Sequence, residues 1–345
     1  MLIVLLKINL LNYLEPKKNM NLYPLKFKPI FKEKIWGGNK IKRILKQDFS
    51  PLSNCGEAWQ ISGIEPDMSV VSNGFLEGNT LNELIEVYMD DLLGEQVFKK
   101  FGQKFPLLIK FIDAQKDLSV QVHPDDTLAA QKHQCKGKTE MWYIIDAEPD
   151  AKLNIGFSIP MNKQLLQKHL AQNTIEDILH YFPVKSGDAV FIPSGKVHAI
   201  GKGILLVEIQ QSSDITYRLY DYDRPDENGK LRPLHVADAL NAIHYNNTDN
   251  ALISYSKQQN CTNNIVYSPF FATNFMDFNQ SVEKIYENID SFVIYICLSG
   301  KAKIVYPDGE ETIQTGECVL IPAAIEKAIF HPEPQCKLLE TYIGE

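Results

Sequence analysis

Gly187-Asp-Ala-Val-Phe-Ile-Pro193 and Gly316-Glu-Cys-Val-Leu-Ile-Pro322 share one frame, G-[DE]-x-V-[FL]-I-P, repeated once far apart in the chain. Each copy reads as a glycine turn, a buried apolar strand and a proline that ends it. A turn–strand–stop unit used twice predicts two related β-barrel halves. The surrounding sequence agrees. LLIKFIDA, LSVQVH, EMWYIID, GILLVEIQ, ITYRLYDY, SFVIYICL, KAKIVY and KLLETYI are short runs rich in apolar residues, as are Leu25 to Phe27, Glu57 to Ile61 and Met68 to Val71. Many short strands with few helices make a mainly β fold of the sandwich or barrel type. The helical part is small. Thr80-Leu-Asn-Glu83 is a capping-box pattern, and Leu81, Leu84, Ile85, Tyr88 and Leu92 recur at helical spacing, which predicts a helix over 81–93. Shorter helices are expected at 161–171, 174–181 and 235–244.

The two copies part company beyond the shared proline. The first continues Ser194-Gly195-Lys-Val-His198, the second Ala323-Ala324-Ile-Glu-Lys327. If His198 is a ligand, the second half has lost the site and is structural. The expected organisation is therefore an extension without function over 1–20, a catalytic unit over 21–250 and a degenerate second unit over 251–345.

Composition narrows the class. At 345 residues, with 44% hydrophobic and 23% charged residues, the chain can bury a substantial core. A net charge of −8 and a pI near 5.6 argue against a nucleic-acid footprint, which needs a basic face. Six cysteines without CxxC spacing suit reduced thiols in a cytoplasmic protein better than a disulfide framework or a cysteine–zinc site. The apolar start MLIVLLKINLLNYL is broken by Lys7 and Asn9 and is too short to span a bilayer, so no membrane partner is expected. Met20 is the expected true start.

The chemistry concentrates in three segments. In Ser119-Val-Gln121-Val-His123, alternation puts Ser119, Gln121 and His123 on one face and Val120 and Val122 on the other. An inward row of Ser, Gln and His is costly inside a barrel unless a metal or polar ligand satisfies it. Gly137-Lys138-Thr139-Glu140 sets Lys138 and Glu140 on one face at the start of the next strand, and His198 closes the G-x5-P-x-G-x2-H run. Two imidazoles, a carboxylate and an amide oxygen suit a divalent ion with room left for water or substrate. Two imidazoles with one carboxylate also suit ferrous iron, so the residues alone leave the metal open. The third segment runs from Gly203 to Arg224. Here Glu208 and Arg218 can both point into the cavity from adjacent strands. The other six histidines read as surface or packing residues.

The ordered motifs KIWGG (34–38), GEAWQIS (56–62), PLLIKFIDA (106–114), LSVQVHPDD, GKTEMWYI, IPSGKVHAI and EIQQSSDITYRLYDYDR resemble type I mannose-6-phosphate isomerases of the short bacterial form, from about Tyr23 to Ile343. The resemblance implies two cupin-like jelly-roll halves and interconversion of D-mannose 6-phosphate and D-fructose 6-phosphate through an enediol. It implies one zinc ion on Gln121, His123, Glu140 and His198, and an active-site arginine at Arg218. Lys138, Glu208, Ser119 and Trp36 match other site-lining positions. Glu208 and Lys138 are the candidate proton-transferring groups, and Lys110, Arg224, Lys138 and Ser119 the candidate phosphate contacts. The expected partner is a hexose 6-phosphate, and the chain is expected to be a monomer or homodimer. Long members of the family carry a further helical domain, whereas 145–186 here is brief. A ferrous oxygenase and a non-catalytic sugar-binding protein are the two other readings of the same cluster.

Overall fold

The computed structural model describes residues 22–226, 229–246 and 251–344; the expected extension at 1–20 lies outside the described residues. The strands are β1 (Ile30–Lys32), β2 (Glu57–Ile64), β3 (Asp67–Met68), β4 (Leu107–Ala114), β5 (Val120–Val122), β6 (Glu140–Ala147) and β7 (Lys152–Phe157). They continue with β8 (Leu179–Pro183), β9 (Ala189–Ile192), β10 (His198–Ile200), β11 (Ile204–Gln211), β12 (Tyr217–Tyr220) and β13 (Leu252–Ile253). One sheet runs β1-β2-β4-β11-β6-β9-β13, with β3 on β2, and a second runs β12-β5-β10-β7-β8. The remaining strands, β14 (Thr262–Tyr267), β15 (Ala272–Phe278), β16 (Val282–Ile285), β17 (Val293–Tyr306), β18 (Gly309–Gln314), β19 (Cys318–Ile321) and β20 (Lys327–Tyr342), build a third sheet. The protein is mainly β, and the pairing of these strands is antiparallel throughout.

Alternation decides where the cores sit. On β11, Leu205, Val207 and Ile209 pack outward with Phe271, Phe275, Phe292 and Leu339, joining the first sheet to the third. Leu206 and Ile204 point the other way, into a core shared with Leu153, Ile155 and Ile200 of the second sheet. The same inward face carries Glu208 and Gln210 further along, and β4 and β6 change likewise from Ile112 and Ile144 to Lys110 and Glu140. The space between the two sheets is therefore apolar at one end and charged at the other. The second sheet buries its outer face under Leu166, Leu240 and Ala239 of the helices Lys163–Ala171 and Val236–Ala242.

The helix Leu81–Leu93 has the expected reciprocal cap, Thr80 accepting from the Glu83 amide and Glu83 from the Thr80 amide. The expected helix at 174–181 is a single 3-10 turn, Glu176–Ile178, followed by β8. Backbone pairing of Leu179–Pro183 with β7 overrides the helical spacing there.

The repeated frame builds corresponding strands, β9 and β19, each preceded by a glycine at positive φ (Gly187 at 84°, Gly316 at 85°). Across the first sheet, Lys110, Glu208, Trp142 and Val190 lie in register; across the third, Asn274, Glu340, Tyr295 and Val319 do. The glutamate accepts a hydrogen bond from its aromatic neighbour in both: Trp142 Nε1 to Glu208 at 3.0 Å, Tyr295 Oη to Glu340 at 2.6 Å. In the third sheet Asn274 Nδ2 and Lys284 Nζ complete the set at 2.8 and 2.7 Å, which satisfies Glu340 within the protein. Lys327, where the first copy has His198, is exposed at the start of β20.

Candidate metal centre and active site

Three strands of the second sheet bring Arg218, Gln121 and His198 side by side, since Gln121 pairs with Arg218 of β12 on one side and His198 of β10 on the other. His123 lies one step further along the face of Gln121. Glu140 reaches the cluster from the facing sheet, where it opens β6 opposite Gln210. The ligand-type atoms of His123, Glu140 and His198 lie within 4.8 Å of one another, and all three side chains are buried.

Hydrogen bonding fixes both imidazoles. His123 Nδ1 lies 2.9 Å from the Ile215 carbonyl and His198 Nδ1 2.8 Å from the Lys196 carbonyl, so each ring donates from Nδ1 and offers the lone pair of Nε2. Those two Nε2 atoms face each other at 3.2 Å, and the Glu140 oxygens stand 3.5 and 3.4 Å from them. Burial holds both imidazoles below their usual range, His198 at about 4. Two lone pairs and a carboxylate converge on one point, and the Lys138 ammonium, 3.1 Å from His123 Nε2, is placed against one imidazole and leaves the Nε2 of His198 facing the others. Neither Glu140 oxygen receives a directed hydrogen bond, although Lys138 Nζ lies 2.7 Å from Oε2. Gln121 presents its amide 3.3 Å from His198 Nε2, and exchanging its oxygen and nitrogen turns an acceptor toward the same point. The donor set thus fits a divalent metal.

Beside this cluster runs a chain of alternating charges. Lys138 Nζ lies 3.5 Å from Glu208, which lies 3.5 Å from Lys110 Nζ; Lys110 in turn lies 3.8 Å from Glu57 and 3.6 Å from Asp214. Lys34 closes the row at 3.1 Å from Glu57. Strand register produces it, because Trp59, Lys110, Glu208 and Trp142 are neighbours across β2, β4, β11 and β6. Burial alone raises the pKa of Glu208, but Lys138 and Lys110 outweigh it and hold the carboxylate below its ordinary range. Burial opposes the charge on Lys138 also, and Glu140 and Glu208 overcome it, so the ammonium is held charged. Partial burial raises the pKa of Glu57, but Lys110 and Lys34 outweigh it and bring the value down to about 2.

Of the expected site residues, Gln121, His123, Glu140, His198, Lys138, Lys110 and Glu208 form one connected group. Arg218 shares the Gln121 face by register, with Nη1 donating to the Pro233 carbonyl at 2.8 Å and Nε buried without a partner. The expectation that Glu208 and Arg218 stand on adjacent strands is corrected: β11 and β12 belong to facing sheets, and each residue approaches from its own side. Ser119 is buried just before β5. Trp36 packs in the apolar core with Ile112 and Trp142 rather than touching the charged row. Arg224 is held by Asp221 at 2.9 Å and the Asp117 carbonyl at 2.7 Å. Glu57 and Asp214 were not singled out from the sequence; Glu57 alternates with Trp59, and only the pairing of Trp59 with Lys110 shows that it shares the face of Lys110.

The profile of the phosphomannose isomerase type I catalytic domain matches residues 24–155. Mannose-6-phosphate isomerase ManA of Bacillus subtilis is 45% identical over 228 residues, 65% of this chain and 69% of the relative. The mannose-6-phosphate isomerase of Streptococcus mutans is 35% identical over 308 residues, 89% of this chain and 95% of the relative. Among solved structures, mannose 6-phosphate isomerase from Bacillus subtilis superposes with a TM-score of 0.84 at 33% identity, covering 93% of this chain and 99% of the other. A variant of phosphomannose isomerase from Salmonella typhimurium has the same fold, with a TM-score of 0.75 at 15% identity over 94% of this chain and 100% of the other. The chain belongs to the type I phosphomannose isomerase family.

Proposed function

We propose that this protein interconverts D-mannose 6-phosphate and D-fructose 6-phosphate, with zinc on Gln121, His123, Glu140 and His198. The observation that carries the reading is the buried Glu208–Lys138 pair set directly beside the metal-type cluster, an acid–base couple that neither an oxygenase nor a sugar-binding protein requires. When bound, the zinc supplies Lewis-acid polarisation at sugar oxygen.

The chain's own residues account for the rest of the chemistry. Isomerisation removes a proton from C2 of the open-chain aldose and returns one to C1, through an enediol. Glu208 is ionised because two ammoniums face it, so it can accept a carbon-bound proton. Burial and fixed position compensate for the low basicity that those same neighbours impose. Lys138 can return a proton or stabilise charge on oxygen. Arg218, which stays protonated, approaches from the other sheet as a stabiliser of developing negative charge. Lys110, Ser119 and Arg224 are the proposed contacts to the phosphate. The unit over 251–345 is the structural half, its Glu340 satisfied by Tyr295, Asn274 and Lys284. Among the described residues no helix is long and apolar enough to cross a membrane.

Running the reaction in deuterium oxide tests the proton transfer. The proposal expects deuterium at C1 of the fructose 6-phosphate formed by the native chain and none with Glu208→Gln. Product formed without any exchange with solvent, together with normal turnover by the variant, contradicts the role given to Glu208.

A further inference from the structure

Lys138 lies two residues ahead of β6, outside any strand ladder, yet it is the hub of the charged row. Its backbone is held instead by three hydrogen bonds. Its own amide donates to the Pro124 carbonyl at 3.1 Å. The amide before it, Gly137 N, donates to Asp126 Oδ1 at 2.8 Å. The amide after it, Thr139 N, donates to Gln211 Oε1 at 2.8 Å. Asp126 and Gln211 are joined to each other, Gln211 Nε2 donating to the same Asp126 Oδ1 at 3.1 Å. Gln211 also donates its backbone amide to the Thr139 carbonyl at 3.1 Å, fixing the end of β11 to the start of β6.

We infer that Asp126 and Gln211 act as one clamp that positions Lys138 for the isomerisation, without touching substrate themselves. Gln211 comes directly after Gln210 on β11 and projects to the opposite face from Glu208 and Gln210. Asp126 begins the helix Asp126–His133, whose N-cap is supplied by Asp125, so Asp126 is not needed for capping. Both side chains grip the chain immediately on either side of the lysine. A side chain that must sit between Glu140 and Glu208 needs this support, because no strand ladder fixes its Cα. Close packing at Gly137 tightens the turn: a Cβ there stands 2.6 Å from Asp125 C and Asp126 N.

The inference rests on the reading of Lys138 as a site residue, and the test separates the two. Gln211→Met removes both side-chain hydrogen bonds at similar volume. The expected result is a kcat about 10–100-fold lower, the scale of lost support around a metal site, with KM and bound zinc close to native and a melting temperature a few degrees lower, because the buried Thr139 amide loses its acceptor. Gln211→Glu should lose as much, since its second oxygen meets the Asp126 carboxylate. Lys138→Met is measured alongside. If Lys138→Met is inactive while Gln211→Met turns over normally, the clamp is overturned and the role of Lys138 stands. If Lys138→Met is fully active, the reading of the lysine itself fails. Loss in Gln211→Met that excess zinc restores also overturns the clamp.

Discussion

Lys138→Met is the substitution whose outcome the geometry constrains most tightly. Methionine keeps the stem and removes the ammonium, which lies 2.7 Å from Glu140 and 3.5 Å from Glu208 with 4% of its side chain exposed. Without metal, Glu140 then has no compensating charge in contact, and breaking one side of a buried pair costs about 3–5 kcal/mol. With metal bound, Glu140 is compensated by the ion, and Glu208 keeps Lys110 at 3.5 Å. The loss there is that of one charged contact, about 1.5–3 kcal/mol. The difference, about 2 kcal/mol, must appear as tighter metal binding, because whatever destabilises the free form alone strengthens the ligand by linkage. That corresponds to a zinc dissociation constant about 25–30-fold lower than native at 1.4 kcal/mol per decade. Removing the amine also removes a positive group 3.1 Å from His123 Nε2, an effect of the same sign. The assays are competition with a chromophoric chelator and denaturant unfolding of metal-free and zinc-loaded protein. Turnover should fall by at least about 100-fold, as for loss of an acid–base group. A variant that binds zinc more weakly than native, or is destabilised equally with and without zinc, refutes the reasoning.

Arg218→Ala should retain fold and zinc and lose most turnover; near-native turnover removes it from the mechanism. His198→Ala should fail to retain zinc, and full occupancy by metal analysis contradicts the ligand assignment. Thr80→Ala should cost about 1 kcal/mol of stability with activity unchanged, since only the helix cap is lost.

Much of the fold was legible because the strands are short, largely apolar runs set off by glycine and proline turns. The repeat predicted β9 and β19, and the in-register rows through Glu208 and Glu340 show that the likeness extends beyond the repeated frame itself. The capping box at Thr80 and Glu83 is a local signal and appears as expected. The helix expected at 174–181 failed because pairing with β7, set by residues distant in sequence, decides that segment. In the site, His123 and Gln121 were legible from period-two spacing within one strand. The partnership of Glu57 with Lys110 was not, because it depends on the register of β2 against β4 and on a shift in that pairing between Trp59 and Ile61. Placing Arg218 opposite rather than beside Glu208 likewise required knowing which strands share a sheet.

The most direct measurement is a coupled assay of mannose 6-phosphate conversion by the purified chain before chelation, after chelation and after return of zinc. The account predicts fructose 6-phosphate formation that is lost on chelation and regained with about one zinc per chain. No conversion by zinc-loaded protein, or conversion that survives complete removal of metal, contradicts it.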